Sequence, residues 1–460
     1  MCIIKPLTIF LFFLSCYLRS ESQLRPVYDL QKDDSIIKKR YYERALRDKN
    51  DLINSLGTAN KKDYTEIYSA RFVQVAELLQ SSRTVTDPVA HKYLQDIFQR
   101  ILDVNPELKK ENIRLVFSRD WWPNAYSFGE GTLVVNAGLM IFLKNEAELA
   151  FVICHELAHL YLDHSNKKIR KNIEAFNNSE FQNELKKISK QEYGAGKQFD
   201  DLLKKYIYSN RQHSRDTESE ADRTAFKFMK NTGFDCNGII RCLELLDKVD
   251  DSTIYRPVNL EEVFNFSSYP FKKKWIQKES AIFGAMTNDD SPLTKKEKDS
   301  LKTHPDCSIR ILQLKDSIAN LPVGKNFIVD ERLFYKLKKD FFIELTEQLF
   351  NSKNLDRNLY YSLQLLQNEE EVPFAVYSIA RCLNQLYDYQ KNHKIGLVTD
   401  KESRGKSMSY NLMLRMIDRL RLDEIANISY NFCSQYKEQM SGYSGFEKEY
   451  QTAVKLKSQH

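Results

Sequence analysis

From Glu146 to about His164 the sequence has a helical pattern that is apolar on nearly every side, with Phe151-Val-Ile-Cys154 and Leu160-Tyr-Leu162 flanking a polar insert. Such a helix belongs at the centre of a domain. Asn145 is a favourable N-cap, and Glu148 three residues later completes a capping-box pattern. The insert is His155-Glu156-Leu157-Ala158-His159, which places two imidazoles and a carboxylate where burial penalises unpartnered polar groups. A bound cation would supply the partners. His155 and His159 are four residues apart and share a helix face, so both rings can address one ion. Glu156 is rotated by about 100°, beside that ion and not on it, where a general base for an activated water would sit. The competing reading, polar residues on a solvated helix face, conflicts with the apolar flanks.

Two histidines leave a ligand to find. Glu218-Ser219-Glu220-Ala221-Asp222 offers Glu218 and Asp222, again four apart on one helix face. Glu218 is expected to complete the ligand set, leaving one position for water. Asp222 is expected to accept a hydrogen bond from the rear nitrogen of a ligating histidine, and Ala221 is small enough for two helices to approach closely. The competing reading is a surface acidic run, and Glu220 is expected to be such a surface residue. His164 lies off the metal face and is expected to cap its helix. His91, His213 and His393 have no motif context and are expected at the surface.

At 460 residues the chain is long enough for more than one core. Its 42% hydrophobic and 29% charged residues describe an ordinary globular composition. The net charge of +6 is spread among alternating acidic and basic residues, which argues against nucleic acid as a partner. Residues 1–22 carry Lys5, an apolar run from Pro6 to Leu18 and then Ser20-Glu21-Ser22, the pattern of a cleaved export signal. A second reading makes Leu14-Ser15-Cys16 a loose lipobox with Cys16 as a lipid anchor. No later segment has the ~18 uninterrupted apolar residues of a membrane helix. The six cysteines beyond the signal form no CxxC pair, against a cysteine-rich zinc finger, and Cys154 is expected as a buried thiol.

The expected fold is mainly α, of the α+β class. Residues 23–65 read as a charged helical segment. The interval 66–322 carries the motifs, with strands expected over Ile113–Phe117 and Gly131–Asn136. Residues 323–460 read as amphipathic helices, and Asp356–Asn392 resembles one tetratricopeptide-like hairpin.

These motifs together resemble the HtpX and CAAX-prenyl-protease family of zinc metallopeptidases, family forty-eight of the metallopeptidases. Asn124-Ala125-Tyr126 followed by Gly131–Leu139 is similar to the family's strand and turn upstream of the zinc helix, and Thr303-His304-Pro305 with Arg310 to its downstream signature. With no membrane helices, the chain looks most like the soluble, exported BepA-type branch, in which a peptidase domain precedes tetratricopeptide helices. The resemblance implies a zincin-type helical domain whose small sheet edges the cleft, one Zn2+ per chain, and polypeptide substrate. It further implies that the strand with Val134, Val135 and Asn136, near Asn124, pairs with extended substrate. His304 would steady the oxyanion or swing onto the zinc, unless it is an ordinary loop histidine. Arg310 would support the site from behind. The implied function is endopeptidase action on misfolded or extended envelope proteins. The alternative is a chaperone-like envelope scaffold that binds partners through its C-terminal helices.

Overall fold

The computed structural model describes residues 33–110, 112–189, 215–249, 257–277, 307–403 and 406–460. The segment 1–22 read as an export signal, Cys16, His213, Thr303-His304-Pro305 and the polar loop expected over 288–302 lie outside them.

Two helices open the described chain, α1 (Ser35–Asn54) and α2 (Lys61–Gln80), the first capped by Asp34. A short strand β1 (Thr84–Val85) leads to α3 (Pro88–Val104), where Asp87 accepts from the amides of Val89 and Ala90 and Pro88 occupies the first helical turn. Three strands follow, β2 (Arg114–Ser118), β3 (Ala125–Ser127) and β4 (Thr132–Asn136). They form a sheet of order β1-β2-β4-β3, in which β2 and β4 run parallel and the outer pairs antiparallel. Gly131 admits the turn into β4. Its φ is +107, and a Cβ there would lie 1.9 Å from the carbonyl oxygen of Asn112.

The two-residue alternation of the strands divides the sheet between two cores. Val116 and Val134 face Ala45, Val75, Leu78 and Leu79 of the α1–α2 hairpin. Leu115, Phe117, Leu133 and Val135 face the main core. That core contains α4 (Ala137–Met140) and the buried α5 (Glu146–Tyr161), which carries the two motif histidines. Asn145 caps α5 by accepting from the Glu148 amide, whereas Glu148 accepts from the amide of Lys144, one residue before the cap. Glu146 is fully buried and accepts from the amides of Ile328, Val329 and Asp330 and from the Tyr93 hydroxyl.

Next come α6 (His164–Asn177), α7 (Ser179–Ser189), a helix α8 described over 215–229, and α9 (Asn237–Val249). Then follow α10 (Leu260–Phe264), α11 (Cys307–Ala319) and α12 (Glu331–Asn351). The chain ends in α13 (Leu355–Gln367), α14 (Val372–Lys391), α15 (Met408–Arg419), α16 (Leu422–Tyr436) and α17 (Phe446–Lys457). The protein is therefore mainly α with one small sheet and an all-helical C-terminal region. None of the described helices is long and apolar enough to cross a membrane. The six cysteines from Cys154 onward are buried and free.

The packing does not divide at 322/323. Val258, Phe264, Phe266 and Trp275 belong to the core of the C-terminal helices, although they precede α11. Conversely Phe334, Leu337, Phe341, Leu345 and Leu349 of α12 belong to the core around α5, while Ile343 joins the other. Sequence composition shifts near Val323, but a helix buried on two faces can serve both cores.

Candidate metal centre and active site

Helices α5 and α8 bring the candidate ligands together. His155 Nε2 and His159 Nε2 lie 3.0 Å apart. Glu218 Oε2 is 3.5 Å from the first and Glu218 Oε1 is 3.4 Å from the second. Among the described residues these three are the one group of His, Cys, Asp or Glu side chains whose ligand atoms converge within 4.8 Å. Ala221, fully buried in the shared core, leaves room for the α5–α8 approach.

Behind the ligands sits a buried charge cluster. His155 Nδ1 is 2.9 Å from Asp222 Oδ1. Arg310, from α11, donates through Nε and Nη2 to the two oxygens of Asp222, at 2.5 and 2.8 Å. Its Nη1 is 3.2 Å from Glu218 Oε2 without hydrogen-bond alignment, so that buried oxygen keeps a free lone pair. With Arg310 as fixed cation, the two carboxylates leave one negative charge uncompensated. Burial disfavours a charged His155, but the Asp222 and Glu218 carboxylates beside it prevail and raise it to about 10. Burial also opposes the Glu218 and Asp222 carboxylates, but their His and Arg partners hold both below their ordinary values. A divalent cation fits this donor set. It would replace the proton and engage the free Glu218 oxygen together with two imidazole nitrogens.

Glu156 is 7% exposed and lines the same cleft, and burial pushes its carboxyl up to about 7. Burial, then the neighbouring His155, lowers His159 to about 3, so its ring is neutral. The cleft encloses about 730 Å³ and is walled by Asn124–Ser127 on one side and by α6 and α8 on the other.

Two expectations need correction. Val134, Val135 and Asn136 do not edge the cleft. Strand β4 is paired on both sides and these residues are 0%, 1% and 3% exposed, so they cannot take up a substrate strand. The edge is β3. Asn136 donates to Asn124 O and Phe128 to Thr132 O, so alternation pairs Tyr126 with Val134 and directs the backbone groups of Ala125 and Ser127 off the sheet. The short Asn124–Ser127 stretch was too brief to read as a strand, but its place in the motif marked it. His164 does not cap α5. Asp163 takes a left-handed conformation, φ +56, and turns the chain so that His164 begins α6 and faces back to His159, Nδ1 to Nδ1 at 3.0 Å. Glu220 is half exposed, as expected of a surface residue, yet its Oε2 lies 3.2 Å from His164 Nε2. His91 is only partly exposed, with Nε2 3.3 Å from the Tyr41 hydroxyl.

Two imidazoles and a carboxylate converging from a buried helix pair, with a further carboxyl beside them, define a mononuclear metallohydrolase type of centre. The model of Peptidase family M48 matches residues 88–318, half of the chain, and the chain belongs to that metallopeptidase family. It is 25% identical over 184 residues to the putative beta-barrel assembly-enhancing protease of Vibrio cholerae, covering 38% of this chain and 36% of that protein. It is 29% identical over 127 residues to the metalloprotease YcaL of Escherichia coli, covering 28% of this chain and 48% of that protein. The chain thus spans between a third and a half of the length of these relatives.

Proposed function

We propose that the chain is a single-zinc endopeptidase that cleaves extended or misfolded polypeptide in the cell envelope. The observation that carries this reading is the convergence of His155 Nε2, His159 Nε2 and Glu218 beside the buried Glu156 in one cleft. Zinc held by those three residues would polarise the scissile carbonyl and acidify a water. Asp222 orients His155, and Arg310 neutralises Asp222. Glu156, buried beside the ligands in the same cleft, takes the proton of the attacking water and delivers it to the leaving amine, so water is added across the C–N bond. The outward backbone groups of Ala125 and Ser127 bind the substrate as an added strand. Recognition is then largely main-chain, which suits unfolded substrates.

Support for the envelope comes from the export pattern in residues 1–22 and from the name of the Vibrio relative. We further propose a role in protein quality control, with the C-terminal helices as a partner surface. The test is cleavage of an unfolded protein by wild type and Glu156→Gln, with and without chelator. Loss of about 10²–10⁴-fold in the variant is expected, with its metal content unchanged, and chelation should silence the wild type. Chelator-resistant cleavage, or full activity of Glu156→Gln, would sink the proposal.

A further inference from the structure

We propose that His164 is a positioning residue for the metal centre, holding His159 in its ligating tautomer and itself held by Glu220. The inference rests on the metal reading above and concerns a different property, the affinity of the site.

His155 and His159 direct Nε2 toward Glu218. A ring that ligates through Nε2 keeps that lone pair free and carries its hydrogen on Nδ1. For His155 the rear nitrogen meets Asp222 Oδ1 at 2.9 Å. For His159 it meets another imidazole nitrogen, His164 Nδ1, at 3.0 Å. Two nitrogens at that separation share one hydrogen, and His159 supplies it. His164 Nδ1 is therefore the acceptor, and the ring carries its own hydrogen on Nε2. That atom lies 3.2 Å from Glu220 Oε2, an acceptor. The chain of donors closes with one hydrogen on each ring of His159 and His164.

The placement is specific to the local fold. His164 is 8% exposed, and it reaches His159 because Asp163 reverses the chain between α5 and α6. Glu220 comes from α8, two residues from each of Glu218 and Asp222. One helix thus supplies a ligand, the anchor of one histidine and the far end of the anchor of the other.

Partners of this kind change metal affinity by about 10–100-fold. The test measures zinc dissociation constants by competition with a chromophoric chelator, with circular dichroism as the control for folding. His164→Leu is expected to weaken zinc binding by that factor. His164→Asn is expected to stay within a few-fold of wild type, since its amide oxygen can stand where Nδ1 stood. Glu220→Ala, at a half-exposed side chain that the fold tolerates, is expected to weaken binding by a smaller factor, and to have no further effect in the His164→Asn background, whose amide no longer reaches Glu220. An unchanged affinity in His164→Leu, or equal damage from Leu and Asn, overturns the proposal. Should His164→Leu fail to fold, a Glu220→Ala effect that persists in full in the His164→Asn background overturns it instead. Cleavage does not enter these measurements, so the fate of the peptidase reading is decided separately.

Discussion

At the scale of single residues, Arg310 has the most consequential environment. Its side chain is 1% exposed, and it is bonded twice to an Asp222 carboxylate that is 2% exposed. Removing one partner of such a pair leaves a charge buried and unpaired, which typically costs about 3–5 kcal/mol. Arg310→Met should therefore lower the urea midpoint by that equivalent with an unchanged slope. A loss below about 1 kcal/mol would mean that water reaches the cluster and that the charge argument for a cation fails. The four-residue spacings made His155, His159, Glu218 and Asp222 legible, because helix geometry turns spacing directly into a shared face. Nothing comparable marked His164. Its position depends on one left-handed residue, Asp163, and aspartate tolerates that conformation without announcing it.

At the scale of elements, the helices and both longer strands could be read from periodicity, whereas their neighbours in the sheet could not. Alternation tells which residues face a core, and it reads the same for a central strand and for an edge strand. The order β1-β2-β4-β3 was thus hidden, and the cleft passed from β4 to the three-residue β3. The amide of Ser127 points off the sheet, so Ser127→Pro removes a donor offered to substrate without removing a ladder bond to β4. The variant should fold and retain its metal, while KM for an extended peptide rises several-fold and kcat changes little. A variant with wild-type KM would show that substrate does not pair with β3. Loss of folding would instead show that β3 cannot hold a proline, which also removes the hydroxyl that accepts from the Gly129 amide.

At the scale of the whole molecule, the two cores are tied together by segments that sequence order assigns to the wrong side. Trp275, 1% exposed, packs against Tyr269 and Phe271 within the C-terminal core. Beside it, Lys272 and Lys274 each place Nζ 3.1 Å from Glu424 Oε1 at the start of α16. Burial would raise the Glu424 carboxyl, but the Trp275 indole N–H and the Lys274 and Lys272 ammonium groups beside it win and bring it down to about 2, from an ordinary 4.5. A folded-state value below the unfolded one means that the carboxylate's contribution is complete above about pH 4.5 and is lost as pH falls toward about 2. Glu424→Gln should therefore be less stable than wild type at pH 7, and the gap should close across that acid window. Asp33, Asp222 and Glu218 are also held low, so the wild-type curve alone will fall in acid whatever Glu424 does. The difference between the two proteins isolates it. Urea midpoints at pH 7, 5, 4 and 3 provide the measurement. A gap that stays constant with pH would mean that Glu424 is not held as an anion by the 272–275 segment, and that apolar contacts alone fasten that segment to the C-terminal helices.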